Sequence, residues 1–435
     1  MEGIQIFDSR DNPTIMGKMR LSDGTWTCFR VPSGASTGEK EAIELRDGDP
    51  KRHRGKGVMK AIGNISAEIS PAIRGLAVGE VTQAEFDSIL LKLDGTPNKG
   101  RLGANAVLAA SGAFARAKAH VEGTSLWRHF AGSNTEMPVP QFNVLNAGRH
   151  ADTGFEVQET MVVPVGARSF SEGMEMGTKV WHSLKSVLRS QGRPTGRGDE
   201  GGFVNPYKSI DETAKAVIEA IVKSGYVPGR EVALAFDGAF SEIFGKNLGG
   251  SDADPGDLTY HLGGRRLTPE EVVDFWEEKA DTYPIISIED GTAEGDDDGW
   301  ALMSKRLGAK VQIVLDDYIC TNPSIIRKAI SHGFGNSHLI KLNQIGTVSE
   351  TLEALRLTAE AGRTNVVSHR SGETEDDFIG HLSMHEHVGQ IKSGSSGSER
   401  MAKYNALLEV EHEVGPQASY RGLNAFPDAV RKRWG

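Results

Sequence analysis

A chain of 435 residues with 38% apolar and 25% charged residues has the balance of a soluble globular protein, and it is too long for one hydrophobic core to organise. Its net charge of -10 argues against a nucleic-acid partner, because phosphate recognition calls for a basic face. Cys28 and Cys320 are the only cysteines and make no CxxC motif, which suits a reducing cytoplasm; no signal-like start or membrane-length apolar run occurs, so no membrane partner is expected.

In chain order, strand-like stretches over 3–32 with a turn at Ser22-Asp23-Gly24 precede helical patterns over 57–74, 82–93 and 104–119. Strands followed by helices predict an α+β unit. The pattern changes near Pro138 to Gln141, which divides the chain into a domain of residues 1–133 and another of residues 134–435. Beyond that point strand and helix alternate, with helices predicted over 168–191, 209–224, 268–281, 349–361 and 398–408. Thr268-Pro269 reads as an N-cap followed by proline at the first helical position. Gly, Asp and Asn crowd the stretch from Gly245 to Arg266, which predicts a surface excursion.

Six apolar runs of the second half end in a chemically active residue, at roughly one βα unit apart: Asp237, Glu289, Asp316, Lys341, the pair Ser368 and His369, and Lys392. In a parallel (β/α) barrel such strand ends converge on one mouth. Asp237, Glu289 and Asp316 would offer three hard oxygen ligands, which favours Mg²⁺ over zinc. Lys341 is then a credible base, its pKa lowered by burial and neighbouring cations, and Lys392 is placed to hold a substrate carboxylate.

Two further segments extend this chemistry. Glu200 stands in the glycine-rich turn Gly198-Asp199-Glu200-Gly201-Gly202, which lets it reach a mouth and donate a proton to a leaving hydroxyl; Gln158-Glu159 brings a second carboxylate after the His150 loop. Arg370 and Ser371 follow a strand, and a guanidinium fork beside a hydroxyl suits a phosphate. The expected partner is a small phosphorylated acid.

Motifs along the whole chain carry a resemblance: AspSerArg at 8–10, ValProSerGlyAlaSerThrGly at 31–38, GluLeuArgAspGlyAsp at 44–49, GlyAspGluGlyGlyPhe at 198–203, SerIleGluAsp at 287–290, LysLeuAsnGlnIleGlyThr at 341–347, SerHisArgSerGlyGluThrGluAsp at 368–376 and SerGluArgMetAlaLysTyrAsn at 398–405. In these the sequence resembles the enolase (phosphopyruvate hydratase) family. The resemblance implies an α/β fold with a (β/α)8 barrel C-terminal domain and an α+β N-terminal capping domain. It implies Asp237, Glu289 and Asp316 as Mg²⁺ ligands, Lys341 as base, Glu200 as proton donor beside Glu159, and Lys392 on the substrate carboxylate. His150, Gln158, His369, Arg370 and Ser371 would touch substrate, and a closing loop at Ser36 would complete a second Mg²⁺ site. A homodimer or homo-octamer is implied as well.

Departures from the family pattern fall at Asp11, Arg30, Ala147, Thr160, Leu315, Gly397 and Ala406. Three readings follow. The first is a Mg²⁺-dependent lyase interconverting 2-phosphoglycerate and phosphoenolpyruvate. The second is an enolase-like enzyme of phosphonate or phosphinate natural-product pathways that forms carboxyphosphonoenolpyruvate by group transfer from a phosphonylated partner; Arg30 and Arg149, if they face the mouth, would then add positive charge for a larger or more anionic substrate. The third is a non-catalytic binding paralogue.

Overall fold

The computed structural model describes residues 1–35, 38–150, 157–245 and 256–435, so the Ser36 expectations lie outside the described residues. The N-terminal part opens with an antiparallel sheet of Glu2–Phe7, Pro13–Arg20 and Trp26–Arg30 in sequential order. Helix Ala104–Val121, rich in alanine, lies across the second and third strands with most of its residues buried. Its small side chains allow a close approach: a β-carbon on Gly17 would stand 2.5 Å from the Ala109 carbonyl oxygen. Helix Gln83–Asp94 starts at a capping box of Thr82 and Glu85, and its Phe86 ring stacks on Phe114 at 3.9 Å. The helix predicted over 57–74 runs from Met59 to Ala72 and widens into an i→i+5 turn at Ile65–Ile69.

The remainder builds a closed barrel of eight strands: Val139–Asn146, Glu159–Val163, Ala233–Asp237, Ile285–Glu289, Gln312–Leu315, Ser337–Ile340, Thr364–Ser368 and Gln390–Lys392. Each pairs with the next, and the eighth closes on the first. The barrel is not wholly parallel. Its second strand runs antiparallel to both neighbours, with Glu159 opposite Asn146 on one side and Asp237 on the other. The expected picture of chemically active residues at C-terminal strand ends therefore holds for the six predicted strands, while Glu159 reaches the same mouth from the start of its strand.

Alternation along the strands stacks the interior in layers. Gln141, Gln312 and Gln390 form an amide network near the floor, joined by Ser287 and Thr364. Val314, Leu339 and Val366 pack above it. The acids and lysines of the mouth follow one step further along the same strands. Phe426 and Val430 from the C-terminal segment pack against Met161, Val163, Ala233 and Ala235.

Outside the barrel lie the five predicted helices, observed as Phe170–Ser190, Ile210–Lys223, Pro269–Thr282, Val348–Glu360 and Ser398–Val414. Thr268 and Glu271 form the capping box expected there, with Pro269 at the first turn. Helices Asp297–Leu307 and Pro323–His332, not singled out in sequence, begin at Asp296 and Asn322 caps. The stretch expected to be a surface excursion ends in a hairpin of Tyr260–Leu262 and Arg265–Leu267. Tyr260 is fully buried, and its hydroxyl donates to Asp296 at 2.6 Å and accepts from the Ala293 amide at 2.9 Å. Among the described residues no helix is long and apolar enough to cross a membrane.

Candidate active site

One pocket at the barrel mouth collects residues from all eight strands or the loops that follow them, together with Ala35 of the N-terminal part. His150, Gln158, Glu159, Glu200, Asp237, Asp316, Lys341, His369, Arg370, Ser371 and Lys392 all line it. Glu289 lies just beneath, where the buried Lys392 ammonium donates to its two carboxylate oxygens at 2.9 and 2.8 Å. The same ammonium approaches Glu159 at 2.9 Å and Asp237 at 3.3 Å. Burial opposes the Lys392 charge, but the surrounding carboxylates of Glu159, Glu289 and Asp237 hold its pKa well above the ordinary lysine value.

On one side of the pocket the acids are in excess. Asp290, Asp316 and Asp317 bring carboxylate oxygens within 4.8 Å of one another, all buried. Asp290 accepts the backbone amides of Asp316 and Asp317, each at 3.0 Å, and adopts a left-handed φ of 41°. Asp316 accepts from Lys341 Nζ at 2.5 Å and from Gln344 Nε2 at 2.8 Å. Burial and mutual repulsion push Asp290 and Asp317 well above the carboxylate range, and Glu289 likewise beside Asp237. The expected trio Asp237, Glu289 and Asp316 is not itself one of the close groups: Lys392 holds Asp237 and Glu289 while Lys341 holds Asp316. The lowered pKa expected of Lys341 rests on neighbouring cations, and here its nearest charged neighbour is the Asp316 carboxylate. Burial pulls the ammonium down, but the Asp316 contact outweighs it and holds it above the ordinary lysine value.

On the other side histidines and glutamates alternate. His150 Nδ1 stands 3.2 Å from Glu159 and 3.7 Å from Glu200. Glu200 accepts from Asn143 Nδ2 at 3.1 Å and meets His369 Nε2 at 3.2 Å. Burial works against the Glu200 charge, yet His150 beside it and the donors around it hold its pKa below the carboxylate range. Burial and the charge on Glu200 instead push Glu159 up to about 7. The Glu200 backbone is drawn close by Gly394, whose φ is 68° and where a β-carbon would stand 2.4 Å from the Glu200 carbonyl oxygen and 3.1 Å from His369.

Both halves of the chain match known family models: the enolase N-terminal domain over residues 1–130 and the enolase C-terminal TIM barrel domain over residues 134–429. This chain belongs to the enolase family. Its barrel and lyase-type superfamily chemistry follow from that membership, and the acidic groups at the mouth are of the kind that hold a metal ion.

The N-terminal part of this enolase-family protein enters the site through a segment that sequence reasoning passed over. Glu41 grips Arg370 with both carboxylate oxygens, at 3.0 and 3.1 Å, and Asn343 accepts a further Arg370 hydrogen bond at 3.0 Å. Residues of the first turns of helix Ser398–Val414 were also missed. Arg400, Lys403 and Tyr404 are fully buried there, with Lys403 paired to Glu373 at 2.7 Å. Their signal was a polar stripe at i, i+3 and i+4 on a buried helix face.

The departures from the family pattern fall mostly off the pocket. Arg30 does not meet the condition of facing the mouth: its amide bonds Asp376 at 2.8 Å and its guanidinium pairs with Glu375 at 3.3 Å, while the Arg149 side chain lies outside what the structure describes. Leu315 lies one strand step from Asp316 and packs against Gly335. Thr160 is buried beside Glu159, and Gly397 begins the helix that carries Arg400. Asp11 takes a left-handed φ of 57°, a conformation that favours glycine.

Proposed function

We propose that this protein is a Mg²⁺-dependent lyase that interconverts 2-phosphoglycerate and phosphoenolpyruvate. The carrying observation is the pairing, in one buried pocket, of a lysine at the end of the sixth strand with a glutamate–histidine cluster across from it. Gln158 supports a cation there, since its side-chain oxygen is buried without a hydrogen-bond partner while its amide nitrogen reaches Asp237 at 3.5 Å. Asp237, Glu289 and Asp316 would hold Mg²⁺, which supplies positive charge for the second negative charge formed on the substrate carboxylate.

Lys341 acts in its neutral form. With Asp316 committed to a cation, its counter-charge is withdrawn, and burial together with Arg370 and Lys392 then favours the free amine. Lys341 Nζ takes the C2 proton, and the electron pair of that bond moves into the carboxylate. As the double bond forms, the C3 hydroxyl leaves with a proton from the Glu200 side, so water is released. Glu200 accepts from Asn143 with His369 Nε2 at 3.2 Å, while Glu159 keeps its proton to about 7 and His150 stands beside both. That arrangement stores the departing proton one residue from Glu200. Lys392 faces the substrate carboxylate, and Arg370 with Ser371 faces its phosphate.

The group-transfer alternative drew on substitutions that would enlarge or charge the mouth, and with Arg30 paired to Glu375 no observation favours it. A non-catalytic paralogue has no reason to keep this set of buried charges. Purified protein given Mg²⁺ and 2-phosphoglycerate should develop the enol absorbance of phosphoenolpyruvate; absence of turnover under those conditions overturns the assignment.

A further inference from the structure

Arg400 has no solvent exposure, and its guanidinium uses every terminal N–H bond. Nη1 donates to His369 Nδ1 at 2.7 Å and to the Arg370 carbonyl at 2.5 Å; Nη2 donates to the carbonyls of Ser371 at 2.6 Å and Asp199 at 2.9 Å, with Ser9 Oγ at 3.4 Å. The remaining nitrogen, Nε, lies 3.4 Å from Glu399. One side chain thus clamps the loop after the seventh strand, the glycine-rich loop of Glu200 and the N-terminal part.

The contact to His369 carries more than rigidity. Arginine has no acceptor and keeps its protons, so His369 Nδ1 must accept. A neutral imidazole that accepts at Nδ1 carries its hydrogen at Nε2, and that nitrogen lies 3.2 Å from Glu200 Oε2. The ring is fully buried, and burial lowers its pKa to about 4, so the neutral form is the relevant one. We propose that Arg400 is a positioning residue that fixes His369 in its Nε2–H tautomer and so turns that hydrogen, rather than a lone pair, toward Glu200. Its catalytic part rests on the reaction assigned above; its tautomer part does not.

Lysine at 400 would keep the charge, but a single nitrogen cannot span the four acceptors. In protein labelled with ¹⁵N-histidine, the His369 resonances, assigned with the H369N variant, should show a bare Nδ1 and a protonated Nε2. A protonated Nδ1 in the wild type overturns the proposal, whether or not any variant folds and whatever substrate the protein uses. R400K should release the tautomer to the Nδ1–H form or a mixture. It should also lower kcat about 100-fold with KM little changed, while C2 proton exchange persists. R400K/H369N should be no slower than H369N alone; fully additive losses, or R400K with wild-type tautomer and kcat, would overturn it.

Discussion

The two carboxylate clusters of the pocket are built from similar residues and behave oppositely. Asp290, Asp316 and Asp317 are balanced by backbone amides, Gln344 and the Lys341 ammonium, and two of the three are pushed toward the protonated form. Glu159 and Glu200 lie close to each other with His150 beside both, and the charge held on Glu200 helps Glu159 keep a proton. The first arrangement suits a cation, which would relieve its repulsion; the second suits proton transfer. Environment, not residue type, assigns the roles.

The largest expected effect comes from separating the two sides kinetically. Lys341→Ala should lose C2 proton exchange and turnover together by about 10³- to 10⁴-fold, whereas Glu200→Gln should keep exchange, read by deuterium uptake, and lose elimination by about 10²- to 10⁴-fold. Full exchange in Lys341→Ala would remove the base. On the acid-rich side, Mg²⁺ at 100 times its Kd should stabilise the native state by about 2.7 kcal/mol, visible as a raised Tm, and Asp316→Asn should abolish that rise. An unchanged Mg²⁺ response in the variant would shift the site away from Asp316.

Smaller effects test the proton-storing side. The raised Glu159 pKa means that the native state binds this proton more tightly than the unfolded chain. Its stabilising contribution is complete below the ordinary carboxylate pKa and is lost as pH rises toward and through about 7, at up to about 1.4 kcal/mol per pH unit. In chelator-treated protein, Glu159→Gln should flatten that slope in denaturant titrations; an unaltered slope would place the proton elsewhere. The smallest effect lies outside both clusters: Asp11→Gly should stabilise by up to about 1 kcal/mol by relieving a left-handed conformation, with kcat unchanged.

Much of the barrel was legible because buried strands announce themselves as short apolar runs, and the residue ending each run sits at the mouth. That reasoning located Asp237, Glu289, Asp316, Lys341, His369 and Lys392 in one place. It could not foresee which carboxylate each lysine would choose, since Lys392 meets Glu159, Asp237 and Glu289 only after closure of the barrel. The first two strands were harder to read. Val139–Asn146 is buried throughout and contains proline and polar residues, so no alternation marks it. Arg30 could not be placed because charge in sequence says nothing of direction, and Glu375, distant in the chain, decides where it points.

The reversed second strand also changes which mutations the site tolerates. In a parallel barrel, length changes in the loops that lead into strands fall on the face remote from the chemistry and are absorbed there. Here the second strand begins at the mouth, and Gln158 and Glu159 at its start line the pocket. A length change immediately before Gln158 would therefore act on pocket residues, where the same change before a parallel strand falls on the remote face.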